Sequence, residues 1–151
     1  MTHATEHATL TSALAGARQH ACAVLLIDGY VLVEQTPAGY SLPQITPPPG
    51  EPAEVALSRA LDVLGLAHTR LSYLSSVWSY APDPATRRYV DRLESFFRVE
   101  AAGDPRAWAP EGYAWVAAAE AVARLASGSH ARTLDELHAS RDTLPGSLLL
   151  C

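Results

Sequence analysis

Residues 42–52 read LPQITPPPGEP, a segment with five prolines and one glycine set against an Ala/Leu-rich stretch. The sequence that follows, residues 52–64, carries helix punctuation at both ends. Pro52 suits a first helical position, where its missing N–H goes unnoticed. Glu51 places a carboxylate at the positive end of the helix dipole. Gly65 suits the left-handed residue just beyond the last turn. Leu57, Leu61 and Leu64 fall at i, i+4 and i+7 and predict a buried stripe, with Glu54, Ser58, Arg59 and Asp62 on the polar side.

Upstream of the proline segment, residues 21–27 form an uninterrupted apolar run of strand length. Asp28-Gly29 is a hairpin signal, and residues 30–35 (YVLVEQ) form the returning strand. Downstream, residues 71–80 and 89–100 are expected as strands, separated by the turn-rich residues 81–86. The Phe96-Phe97 pair leaves open which side of the second of these faces inward. Residues 113–116 (YAWV) give a short strand, residues 118–125 a helix broken by Ser127-Gly128, and Thr133 the start of a last helix with Asp135 and Glu136 in its first turn. Residues 1–20 are expected as a tail or short helix, and residues 21–151 as one domain. Strand runs interleaved with helices predict an α+β fold with a mixed sheet.

In this order of elements, the segment LP, six further residues, GE and a helix with a central arginine resembles the Nudix (MutT-like) hydrolase superfamily. The family box is G-x5-E-x7-R-E-U-x-E-E-x-G-U, with U a bulky apolar residue. Anchored on the loop end, Ile45 takes the box glycine position, Glu51 the first glutamate, Arg59 the arginine and Leu61 the apolar position after it. Residues 110–116, an acid followed by YAWV, are similar to a late strand of the same fold. The resemblance implies an α/β/α sandwich, a hydrolase of nucleoside-diphosphate derivatives, and Mg2+ or Mn2+ held by glutamates of the helix.

The three helix positions that carry those glutamates hold Ala60, Val63 and Leu64. With the register fixed on Gly65 instead, they hold Arg59, Asp62 and Val63. Magnesium is anchored by one or two carboxylates together with substrate phosphates, so neither register supplies the family's cage. The paired glycines of the family loop are replaced by Gln44 and Ile45, and three consecutive prolines remove N–H donors. The sequence therefore predicts catalysis lost or weakened, and a module that binds a nucleotide derivative or interacts through its surface. The alternative is an active hydrolase with a relocated metal site built from Glu51, Asp62 and an acid such as Glu94 or Glu111.

The candidate catalytic residues implied by the resemblance are Glu51, Arg59 and Glu111. Candidate metal ligands are Glu51 and Asp62, and candidate ligand-stacking residues are Tyr40 and Trp78. Each has a structural counterpart: Glu51 as a helix-start acid, Arg59 paired with Asp62 at i+3, the remaining acids, Glu34 and Glu94 included, on a solvated surface, and the aromatics in the core.

Composition bounds the partners. The chain has 151 residues, 48% of them hydrophobic, and a formal net charge of -5. That size and hydrophobicity suit one packed domain. The negative balance argues against a nucleic-acid backbone as partner, since counterion release needs a basic face. No apolar run reaches the ~20 residues of a membrane helix. The two cysteines, Cys22 and Cys151, have no metal-ligand spacing and are expected as reduced thiols of a cytoplasmic protein. A small-molecule nucleotide derivative and a second copy of the chain are the expected partners. His3, His7 and His20 are expected on the surface.

Overall fold

The computed structural model describes residues 18–82 and 86–150. Among the described residues, eight strands and three α-helices follow in the order β1 (Arg18–Val24), β2 (Leu26–Ile27), β3 (Tyr30–Thr36), β4 (Gly39–Ser41), β5 (Gln44–Ile45), α1 (Ala53–Val63), β6 (His68–Pro82), β7 (Tyr89–Ala101), β8 (Tyr113–Ala117), α2 (Ala118–Arg124) and α3 (Gly128–Leu150). One sheet has the order β5-β1-β7-β6, with β1 and β7 parallel and the other pairs antiparallel. A second sheet joins β2, β3 and β4, with β8 on the other edge of β3. The result is an α/β/α sandwich built around a mixed sheet.

Two apolar clusters explain the continuous hydrophobic run of β1. Successive strand side chains point to opposite faces. Ala21, Ala23 and Leu25 pack with Leu57, Leu61 and Phe97, beneath α1. Cys22, Val24 and Leu26 pack with Phe96, Ala121 and Leu134, on the side of α2 and α3. The same alternation resolves Phe96-Phe97: both are buried, because β7 is interior to its sheet and covered on both faces. A strand of this kind carries no polar/apolar alternation to read.

The hairpin at Asp28-Gly29 forms as expected, with both residues at positive φ (48° and 80°), as a two-residue primed turn requires. The helix after the proline segment also forms, but it begins one residue later than Pro52, which serves as N-cap without a side-chain bond. At its other end Gly65 N–H donates to Asp62 O and Leu66 N–H to Leu61 O, the paired bonds of a Schellman cap. Gly65 has φ +80°, and a Cβ there would lie 3.3 Å from the Trp108 ring. Gly65→Ala is therefore expected to lower stability by about 1–2 kcal/mol, read from a urea midpoint, through backbone strain and crowding together.

Several boundaries differ from expectation. Residues 18–20 belong to β1 rather than to a tail, since they extend the parallel ladder with Arg92, Leu93 and Glu94; residues 1–17 lie outside the described residues. The run 21–27 is two strands, interrupted at Leu25, as the chain passes from one sheet to the other. The last helix starts at Gly128, not Thr133, and Thr133 and Leu134 are buried within it. Cys151 lies outside the described residues, and nothing is described of the side chains after Ser140. No helix among the described residues is long and apolar enough to cross a membrane.

Candidate functional site

The loop and helix that decide the fold also frame its candidate site. Glu51 stands at the start of α1 and is ion-paired with Arg59, two turns on. The pair replaces the expected Arg59–Asp62 contact, because the chain entering α1 brings Glu51 back alongside the helix. The Arg59 side chain is 54% exposed, so the pair is screened and contributes at most about 1 kcal/mol. Asp62 points elsewhere: it is exposed and lies 3.8 Å from His68 Nδ1.

Beside α1 lies a pocket of about 300 Å3, bounded by Gln44, Arg59, Ala60, Val63, Leu64 and Tyr113. Its lining contains no carboxylate. Tyr113 Oη lies 3.5 Å from Glu34 Oε2, and burial, followed by the negative charge of Glu34, raises the phenol's pKa. Tyr113 therefore stays a neutral donor at the pocket wall.

A second arrangement lies across the sheet. Glu94 is buried, 5% exposed, where a solvated surface acid was expected. Its Oε1 accepts from Ser129 Oγ at 2.7 Å and its Oε2 from His130 Nε2 at 2.8 Å. Burial pushes the carboxyl pKa up, but the bonds from His130 and Ser129 outweigh it and the net shift is downward. Buried carboxylates persist when donors satisfy them in this way. His130 is itself anchored: the Leu42 N–H donates to its Nδ1 at 3.3 Å. Cys22 Sγ lies 3.7 Å from His130 Nε2. Residues of this group line a cavity of about 240 Å3 with Glu34, Tyr40, Gln44 and Arg92.

The arrangement of strands and helices matches solved structures. A MutT mutator protein of Bacillus halodurans superposes with a TM-score of 0.60 at 14% identity, over 78% of this chain and 80% of that one. The dihydroneopterin triphosphate pyrophosphohydrolase of E. coli gives 0.59 at 17% identity, over 80% and 95%. The Ap4A hydrolase of C. elegans gives 0.57 at 14% identity, over 82% and 97%. The fold is that of the Nudix hydrolases. The sequence itself matches no protein-family model and no curated protein.

A Nudix fold implies a divalent metal, so the residues present must be tested against one. Around the pocket beside α1 they do not fit: Ala60, Val63 and Leu64 offer no side-chain oxygen, and Mg2+ takes oxygen ligands. Cys22, Glu94 and His130, whose ligand atoms lie within 4.8 Å of one another, form a donor set of the zinc type. Their hydrogen bonds oppose that use. Because Nδ1 accepts a backbone N–H, the ring proton sits on Nε2 and is given to Glu94, so no imidazole lone pair points at the group. Burial, reinforced by the charge of Glu94, also holds the Cys22 thiol far above its ordinary pKa, away from the thiolate a metal needs.

The other candidates are dispersed across this Nudix fold. Glu51 and Asp62 line different clefts. Glu111 is exposed in the turn that leads into β8, closed by Tyr113 N–H to Pro110 O. Tyr40 carries the Arg124 guanidinium 6.0 Å above its ring and lines the Glu94 cavity. Trp78 is 59% exposed on β6, cross-strand from Leu93. Trp115 packs into the core and donates through Nε1 to Trp108 O. His20, expected on the surface, is half-buried, and its pKa is lowered by burial and then by Arg92. His130 was not expected at all. The available signal was Glu94 itself, an acid two residues before a Phe-Phe pair in a strand; its partner is 36 positions away.

Proposed function

We propose that this chain is a Nudix-fold module that binds a small nucleotide derivative and has lost, or nearly lost, metal-dependent hydrolysis. The observation that carries the proposal is the pocket beside α1, whose lining includes Ala60, Val63 and Leu64 and no carboxylate. Hydrolysis of a diphosphate linkage needs charge neutralised as the bond breaks, and metal ions commonly supply that neutralisation. The pocket's one charged lining residue, Arg59, is already paired with Glu51. The apolar part of the wall suits a ring or aliphatic portion of a ligand, with the Tyr113 hydroxyl, its proton directed to Glu34, left as an acceptor at the rim. In this proposal the Glu51–Arg59 pair holds the loop to the helix at the pocket edge. Solved neighbours act, by their names, on dihydroneopterin triphosphate and Ap4A. Their chemical range supports a nucleotide-like ligand without choosing one.

The second reading is an active hydrolase using Mg2+ or Mn2+ at a relocated site, for which the expected Glu51 and Asp62 lie in different clefts. Its support is the buried, ionised Glu94, a carboxylate held ready at a cavity. One assay separates the two. A panel of nucleoside-diphosphate derivatives with Mg2+ or Mn2+ is expected to show no turnover above the metal-only background. Robust turnover abolished by Glu51→Gln would establish the second reading and remove the first.

A further inference from the structure

We infer that the cleft between α1 and the start of β6 is an acyl-transfer site: the Ser58 hydroxyl attacks the carbonyl carbon of a small carboxylic ester, and His68 takes its proton. The cleft has a volume of about 540 Å3, and Val55, Ser58, Asp62, His68 and Arg70 are among the residues that bound it. It shares only Arg59 with the pocket described above, and the ligand of that pocket has no part in it.

Local chain geometry brings the polar groups together. Ser58 and Asp62 are four residues apart on α1, so they lie one above the other on one face. The Schellman cap at Gly65 then ends the helix, and Ala102 N–H donates to Ala67 O, which pins the connection. The next residue, His68, opens β6 and meets Ser58 on that face. A bulge follows at once: His68 pairs with Ala101 and Arg70 with Glu100, which leaves Thr69 out of the ladder. Bulges re-aim the side chains beside them.

Ser58 Oγ lies 2.8 Å from His68 Nε2, and His68 Nδ1 lies 3.0 Å from Leu66 O. A carbonyl oxygen can only accept, so the proton sits on Nδ1 and the neutral ring keeps its lone pair on Nε2. The Ser58 hydroxyl therefore donates to Nε2, the arrangement of a nucleophile and its general base. Bonds at both nitrogens fix the imidazole, whose side chain is only 8% exposed. Asp62 Oδ1 lies 3.8 Å from Nδ1, too far for a hydrogen bond but close enough to attract the imidazolium formed in the step. Mid-helix serines commonly bond back to their own helix or face solvent. This one is aimed at an imidazole.

Attack forms the Oγ–C bond and moves the carbonyl electron pair onto oxygen, while the Ser58 proton passes to Nε2. Arg70, at the cleft wall, brings positive charge toward that oxygen. Collapse breaks the bond to the leaving oxygen, which takes the proton from Nε2, and Ser58 is left acylated. Water then gives a proton to Nε2 and bonds the acyl carbon, and Ser58 departs with that proton. Val55 and Leu71 offer the acyl chain apolar surface.

The test is hydrolysis of p-nitrophenyl acetate by the full chain in EDTA, with mass spectrometry of the trapped intermediate. Turnover above that of equimolar free imidazole is expected, with an acetyl group on Ser58. Ser58→Ala and His68→Gln should each lower kcat/KM about a hundredfold or more, the lower end of what a positioned general base contributes. Alanine is the better helix former, so Ser58→Ala keeps the fold even if His68→Gln does not. Asp62→Asn should lower kcat a few-fold with KM unchanged, a split that a merely structural role would not produce. Ser76→Ala, which removes a hydroxyl bonded to Tyr73 Oη and Ser95 Oγ, should leave the rate unaltered. A rate no higher than that of free imidazole, a rate that survives Ser58→Ala, or an acetyl group found only on other residues would overturn the inference. Turnover of nucleoside-diphosphate derivatives would defeat the proposed function and leave this site standing, because the ester carries no phosphate and the assay contains no free metal.

Discussion

His130→Ala should lower the unfolding free energy by about 3–5 kcal/mol, the scale for removing one partner of a buried charged contact. The loss has two physical parts. Glu94, 5% exposed, would keep only the Ser129 hydroxyl as donor. The Leu42 N–H, at the start of the proline segment, would lose the acceptor that holds it. Glu94→Gln tests the other side of the bond: it removes the charge and retains the shape, with the amide oxygen on His130 Nε2–H and the amide N–H on the Ser129 hydroxyl, which can accept. It should cost less than His130→Ala but more than a surface Glu→Gln. Urea denaturation by fluorescence reads both.

The same cluster fixes the direction of the acid dependence. The folded-state pKa of Glu94 lies below its ordinary 4.5. A depressed carboxyl binds more protons unfolded than folded. Its contribution is therefore complete above the unfolded value and disappears as pH falls through the folded one. Wild type should lose stability on acidification below about pH 4.5, and Glu94→Gln should show a flatter profile there. A parallel fall in both proteins would place the acid sensitivity in other carboxyls.

The fold was legible in the sequence where local chemistry decides geometry. Asp28-Gly29 specifies a turn, Gly65 a helix end, and Leu42-Pro43 with Gly50-Glu51 the frame of the loop. The absence of side-chain oxygens at Ala60, Val63 and Leu64 is visible at single positions, because these residues need no partner to be recognised as non-ligands. The polar cluster was not. Cys22 and His130 are 108 residues apart, and only the packing of α3 against the sheet brings them together. Glu94 looked like a surface acid because charged residues are almost never fully buried unless paired, and its partners lie in another element. The pairing of Arg18 with Arg92 was hidden for a related reason: β1 and β7 lie parallel, and no hairpin enforces their register.

Phe96→Ala should be as damaging as any single core change, about 3–5 kcal/mol for a fully buried aromatic. Phe96 is 0% exposed and sits in the cluster with Cys22, Val24 and Leu134. It also meets the His130 ring edge-on, with centroids 5.5 Å apart and planes at 88°. That contact ties the apolar cluster to the polar one. Removing the phenyl ring leaves a void against the imidazole and loosens the ring that holds Glu94. The two substitutions should therefore be non-additive. In a double-mutant cycle, Phe96→Ala with His130→Ala should cost less than the sum of the singles by about 0.5–1.5 kcal/mol, the range for aromatic pairs in contact. Phe97→Ala is the internal control: Phe97 is also buried, but it packs on the α1 side. It should destabilise comparably and add to His130→Ala without coupling. Equal coupling from both phenylalanines would mean that the sheet responds as one body. Coupling confined to Phe96 would mean that the core beneath α3 and the carboxylate beside the cavity stand or fall together.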